Sequence, residues 1–177
     1  MSMMQTPGAI LLLVLSLVGT PAPAQQDAWA DFRFLMGTWV SIGETTEGSG
    51  GFTLEPDLQD KILVRRNEAD LPATKDRPAA KHEDLMVIYR VPGGEQVNAS
   101  YYDNEDHIIQ YTVSPLPEKG GLVFVSDAMP SAPRFRLTYT AAGANTVAIK
   151  FEFAPPGKAE EFRTYLEGTA RRTRPTH

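Results

Sequence analysis

The feature that most constrains this chain is a succession of short strand-forming runs, each closed by turn residues. The runs are Thr38–Thr45, Gly51–Glu55, Lys61–Asn67, Glu83–Val91, Gln96–Asp103, His107–Ser114, Leu122–Asp127, Arg134–Thr140, Thr146–Phe153 and Phe162–Arg171. Between them stand Gly48-Ser49-Gly50-Gly51, Pro92-Gly93-Gly94, Asp103–Asp106, Lys119-Gly120-Gly121, Gly143-Ala144-Asn145 and Pro155-Pro156-Gly157. Such residues take up positive φ or break a strand, which is what hairpin connections need. Parallel pairing needs a crossover of a dozen or more residues, and no helical pattern of that kind separates the runs. The expectation is an all-β, antiparallel up-and-down arrangement of roughly ten strands, closed into a barrel because closure removes the free edges. The widest connection, Glu68–Lys81, is polar and contains two prolines. It reads as a lid or rim.

Ahead of the runs, Asp27 can cap a short helix over Ala28–Met36 that closes one end of the barrel. Trp29, Phe32 and Met36 recur at helical spacing with Leu35 beside them, and Gly37 suits the helix end. Trp39 then opens the first strand and shares a face with Ser41 and Gly43, a large ring followed by small residues as a tapering interior requires. In the last run Phe162, Thr164, Leu166, Gly168, Ala170 and Arg172 share a face. If first and last strands pair, Arg172 lies against the Trp39 ring, a contact worth about 0.5–2 kcal/mol.

These residues carry a resemblance. Gly37-x-Trp39 after a short helix, with an arginine in the terminal strand, resembles the calycin superfamily, which includes lipocalins. Phe34-Leu35-x-Gly37-Thr38-Trp39 resembles its nitrobindin-like branch. Four further segments extend the likeness: His82-Glu83-Asp84, Tyr102–Tyr111, Ala132–Tyr139 and Tyr165–Arg172. Together they are similar to secreted bacterial β-barrel proteins of a related family of unknown function. The resemblance implies a calycin-like barrel and supplies no activity. Nitrobindin-like proteins bind haem through a histidine near the last strand, whereas here Tyr165 stands at the comparable place. Tyrosine can ligate haem iron. Tyr165, however, shares parity with Arg163, Glu167 and Arg171, which read as solvent-facing, so no haem or other cofactor is expected.

Residues 1–24 read as a secretory signal: Ala9–Gly19 is an apolar run too short to span a bilayer comfortably, and Ala22-Pro23-Ala24 is an A-x-A cleavage site. Removal leaves residues 25–177 as a single domain, exported to the periplasm or the medium and without stable membrane insertion. The chain has no cysteine, which excludes thiol chemistry and a lipobox anchor. A net charge of −5 argues against nucleic acid and anionic membranes as partners.

Alternation assigns the faces. Val97, Ala99 and Tyr101 point in, as do His107, Ile109, Tyr111 and Val113. Phe135, Leu137 and Tyr139 oppose Arg134, Arg136 and Thr138, and Val147, Ile149, Phe151 and Phe153 oppose Lys150 and Glu152. Glu83 is placed inside with Leu85, Val87 and Tyr89, and Arg66, sharing a face with Ile62 and Val64, is its expected partner. The resulting ligand site has Trp39, Tyr89, Tyr101, Tyr111, Phe124, Phe135, Tyr139 and Phe151 as walls. Glu83 and His107 meet a polar head, with Arg66 beside Glu83; the other reading of this cluster is a rim salt-bridge and capping network around the long loop. The partner so read is a small hydrophobic or amphipathic molecule. The rivals are an enzyme using Glu83 and His107 as acid and base, and an interaction module with a filled barrel. His82, Glu83, Asp84 and His107 could offer metal ligands, but too few converge in sequence to assign a metal. No nucleophile elbow or phosphate-binding glycine motif is present.

Overall fold

The computed structural model describes residues 27–43, 49–75, 78–116 and 120–174. The expected signal segment, the turn residue Gly48, Lys119 and His177 lie outside them. Ten antiparallel strands form one closed barrel in which each is bonded to its sequence neighbour and the last to the first. They are β1 (Gly37–Ile42), β2 (Ser49–Asp57), β3 (Ile62–Leu71), β4 (Ala80–Arg90), β5 (Val97–Asp103), β6 (Ile108–Leu116), β7 (Gly121–Ser126), β8 (Arg134–Gly143), β9 (Thr146–Ala154) and β10 (Arg163–Arg174). Each coincides with one of the expected runs. The widest connection is shorter than expected, because β3 and β4 stay paired out to Leu71 opposite Ala80.

The seam closes as the sequence predicts. Trp39 pairs with Arg172, whose guanidinium carbon lies 4.5 Å from the indole centroid. That guanidinium also donates to the carbonyls of Met36 and Phe34, both at 2.6 Å, tying the last strand to the segment before the first.

That segment is not the expected helix of nine residues. Only Ala30–Phe32 forms a helical turn, and it is of the 3-10 kind. Successive amides bond to carbonyls three residues back: Ala30 to Asp27, Phe32 to Trp29, Arg33 to Ala30 and Leu35 to Phe32. The apolar residues Trp29, Phe32 and Leu35 recur every three positions, the 3-10 period, and all are buried. So short a segment cannot offset helix nucleation by its own bonds, and packing against the barrel decides its form. The Trp29 indole donates to the Asp60 carbonyl at the β2–β3 turn, and Arg90 donates to the Ala28 carbonyl. The segment plugs the end of the barrel where β1 begins, and Gly37 leaves it at φ 112°.

From this closed end the interior is filled. Trp39, Leu54, Leu63, Ile88, Leu122, Phe124, Tyr139 and Val147 are each at most 1% exposed. Trp39 stacks on Phe52, and Phe124 meets Tyr139 and Tyr111 edge to face. Side chains packed to this density exclude water from the closed half of the barrel.

Candidate functional site at the open end of the barrel

At the other end, inward-facing side chains become accessible strand by strand. Along β8 the sequence runs from buried Tyr139 and Leu137 to half-buried Phe135. Along β6 it runs from Val113 and Tyr111 to half-buried Ile109, and along β5 from buried Ala99 to half-buried Tyr101. Along β10 it runs from buried Ala170 to exposed Gly168 and Leu166. A Cβ placed on Gly168 would meet nothing within 4 Å. The barrel therefore opens into a solvent-reached mouth.

One wall of the mouth is polar. Arg65 of β3 and Asp84 of β4 form an ion pair at 2.5 Å, with side chains 10% and 4% exposed. Asp84 also accepts from the Asn67 amide at 2.9 Å, and its second oxygen lies 3.3 Å from His82 Nε2. His82 Nδ1 faces Glu105 at 3.0 Å. The Tyr101 hydroxyl donates to Asp103 at 3.1 Å and lies 3.4 Å from His82 Nε2. Asp103 further accepts the backbone amides of Glu105 and His107, and faces the His107 ring at 2.8 Å. Three strands and the β5–β6 turn thus share one continuous network.

The opposite wall is aromatic. In strand order β9 lies five places round the ring from β4, β8 five from β3 and β10 five from β5. Phe135 and Phe151 stack at 5.8 Å, and Tyr165, at the β10 bulge, meets Phe151 and Phe153 edge to face.

Burial pushes the phenols of Tyr101, Tyr111 and Tyr139 above their ordinary values, so they remain neutral. Burial opposes the charge of Arg65, but the Asp84 carboxylate paired with it holds its pKa above the usual arginine value. The Tyr139 hydroxyl and Arg65 Nε are buried without a hydrogen-bond partner among the described residues. The cost is about 1–3 kcal/mol for each such group.

Burial alone would raise Asp103. Hydrogen bonds from His107, Glu105 and Tyr101 outweigh it and hold the carboxyl below the usual range. A depressed folded-state value means that the unfolded chain binds more protons, so this group's stabilisation is present above about pH 4 and is lost as pH falls through the folded value. Denaturant midpoints measured from neutral pH down to about pH 3 should fall on acidification, and Asp103→Asn should flatten that fall. An equal slope in the variant would refute the assignment.

The structure corrects the facing expected of three site residues. Glu83, Tyr89 and Arg66 lie on the outer parity of β4 and β3, because the inward set is His82, Asp84, Met86 and Ile88 on β4 and Leu63, Arg65 and Asn67 on β3. Glu83 pairs on the outside with Lys81, which also bridges to Glu68. Trp39, Phe124, Tyr139 and Tyr111 face inward as expected but are packed in the core at 0–3% exposure, so they support the mouth from below. Tyr101, Phe135 and Phe151 line it, and His107 stands on its rim beside Asp103. Sequence reasoning missed Arg65 and weighed Asp84 only as a metal ligand. Their opposite charges at inward positions of two adjacent runs are the signal that would have found them. Tyr165 is 72% exposed, as expected, although its ring reaches the aromatic wall. Among the described residues no three His, Asp or Glu side chains converge to hold a metal ion.

Two open depressions lie elsewhere. One of about 480 Å³ sits at the β3–β4 rim against Leu71, Pro72 and Ala80. The other, about 600 Å³, runs along the outer face past Thr138, Lys150 and Glu167, with the backbone of Gly168 in its floor. No family model matches the chain. A search of curated proteins likewise finds no match.

Proposed function

We propose that this protein is an exported carrier of calycin type that seats a small amphipathic molecule in the open mouth of its barrel. The observation that carries the reading is the pairing of walls at the mouth: a hydrogen-bonded polar network on β3–β5 faces a partly exposed aromatic surface on β8–β10. An apolar surface with convergent polar groups is the usual form of a small-molecule site. The apolar part of the ligand lies along Phe135 and Phe151, and its polar head meets Tyr101 and His82. Packing of the closed half limits the ligand to the mouth.

Gly168 allows a direct test. It shares the inward parity of Ala170 and Leu166, and a Cβ there meets nothing within 4 Å, so Gly168→Leu should occupy the mouth without displacing a neighbour. Titration with the neutral fluorophore N-phenyl-1-naphthylamine should give saturable binding to the wild type and at least about tenfold weaker binding to Gly168→Leu, at unchanged thermal stability. Equal affinity in the two proteins would place the probe elsewhere and overturn the reading.

The fully packed closed half favours a second reading, an interaction module whose barrel takes no ligand. Absence of saturable probe binding to the wild type would select it.

A further inference from the structure

We propose that the floor of the mouth takes an uncharged carbonyl group, whose oxygen accepts from Arg65 Nε and from the Tyr139 hydroxyl. The proposal rests on the reading of the mouth as a ligand site, and it places the head's oxygen below Tyr101 and His82. Arg65 Nε and the Tyr139 hydroxyl are both buried, and neither has a hydrogen-bond partner among the described residues. Arg65 is 8% exposed and Tyr139 0%. The two groups belong to one place. The Phe52 ring centroid lies 5.2 Å from the guanidinium carbon and 5.8 Å from the centroid of the Tyr139 ring. Arg65 stands on β3 and Tyr139 on β8, at opposite sides of the ring of strands, so together they span the interior beneath the mouth.

What this floor lacks is an acceptor. A guanidinium only donates, and burial keeps the Tyr139 phenol protonated. The nearby carboxylate is already engaged: Asp84 accepts from Arg65 Nη1 and from the Asn67 amide, and faces His82. A Tyr139 oxygen turned to receive the Arg65 Nε proton would still leave the phenol proton without an acceptor. Buried donors in that state are destabilising, and a bound acceptor relieves them. A carbonyl oxygen has two lone pairs, one for each donor.

The local charges select an uncharged head. Arg65 is paired with Asp84 at 2.5 Å, and Asp103, its side chain 3% exposed, is ionised at neutral pH. An anionic head would bring a third carboxylate to one guanidinium. A cationic head would bring no acceptor. Access follows from register. Tyr139, Ile149 and Gly168 form one inward row across β8, β9 and β10, and a Cβ on Gly168 meets nothing within 4 Å, so open space reaches this row.

The test is displacement of N-phenyl-1-naphthylamine by 2-decanone, decanoate and decyltrimethylammonium at neutral pH. The ketone should displace the probe at a concentration at least about tenfold below either charged amphipath. Tyr139→Phe should weaken 2-decanone at least about tenfold more than it weakens the probe, which offers no oxygen. The variant's thermal midpoint should not fall, because the hydroxyl has no partner to lose. The infrared carbonyl stretch of bound 2-decanone should lie at lower wavenumber in the wild type than in Tyr139→Phe, the mark of a hydrogen bond to that oxygen. Decanoate binding as tightly as the ketone, equal weakening of ketone and probe in the variant, or a carbonyl stretch that the variant leaves in place would each overturn the carbonyl assignment alone. A lowered thermal midpoint for Tyr139→Phe would show a hydroxyl already satisfied and would overturn it too. A probe that binds Gly168→Leu as well as the wild type, or that does not bind the wild type, would refute the ligand site itself and this proposal with it.

Discussion

Replacing Arg172 by alanine should lower the free energy of unfolding by about 3–4 kcal/mol. The side chain does three things at the seam. It covers the Trp39 ring, and it donates to the carbonyls of Phe34 and Met36. Hydrogen bonds from a charged donor contribute about 1.5–3 kcal/mol each, and the ring contact adds about 0.5–2. Both carbonyls belong to the plug, so the substitution loosens the closed end and the β1–β10 seam together. Arg172→Lys keeps the charge but not the planar fork, and should recover less than half of the loss. Urea unfolding followed by tryptophan fluorescence measures both. A loss below about 1 kcal/mol for Arg172→Ala would show that closure does not depend on this residue.

Asp84→Ala should be as severe, at about 3–5 kcal/mol, for a different reason. It leaves the Arg65 guanidinium, with its side chain only 10% exposed, without its carboxylate in a space walled by Phe52 and Tyr139. The pair itself is not what makes the barrel stable, because desolvating two charges offsets most of their attraction. The double variant Arg65→Met with Asp84→Leu should therefore unfold within about 1 kcal/mol of the wild type, far above the single variant. If the pair is held for the ligand's polar head, that stable double variant should bind N-phenyl-1-naphthylamine but discriminate less between polar and apolar ligands. A double variant as unstable as Asp84→Ala would contradict this account of the pair.

The ten strands were legible because turn chemistry is local: Gly93, Gly120 and Gly157 do adopt positive φ where turns were expected. The Trp39–Arg172 contact was legible because it needs only the first and last strands to pair, which closure enforces. What alternation could not settle was the parity of β3 and β4. The core of β4, Leu85-Met86-Val87-Ile88-Tyr89, is apolar on both faces, and Ile62-Leu63-Val64 of β3 is the same. A shift of one residue exchanges every inward side chain for an outward one. The inward positions near the open ends of both strands are polar, His82 and Asp84 on one and Arg65 on the other, so hydrophobicity pointed the wrong way there. Charges can occupy such places only as a pair across the register, and Arg65 stands opposite Met86, next but one to Asp84. The plug shows a second limit. Its apolar spacing predicted burial correctly, but the difference between a 3-10 turn and an α-helix lies in packing with the β2–β3 turn far along the chain.

The most direct test of the central claim is native mass spectrometry of the protein exported from a bacterial host, followed by organic extraction of whatever it carries. The account predicts a reproducible small amphipathic molecule released from the wild type and missing from Gly168→Leu. A clean unliganded mass for both proteins, unchanged by added N-phenyl-1-naphthylamine and by fatty acids, would contradict it.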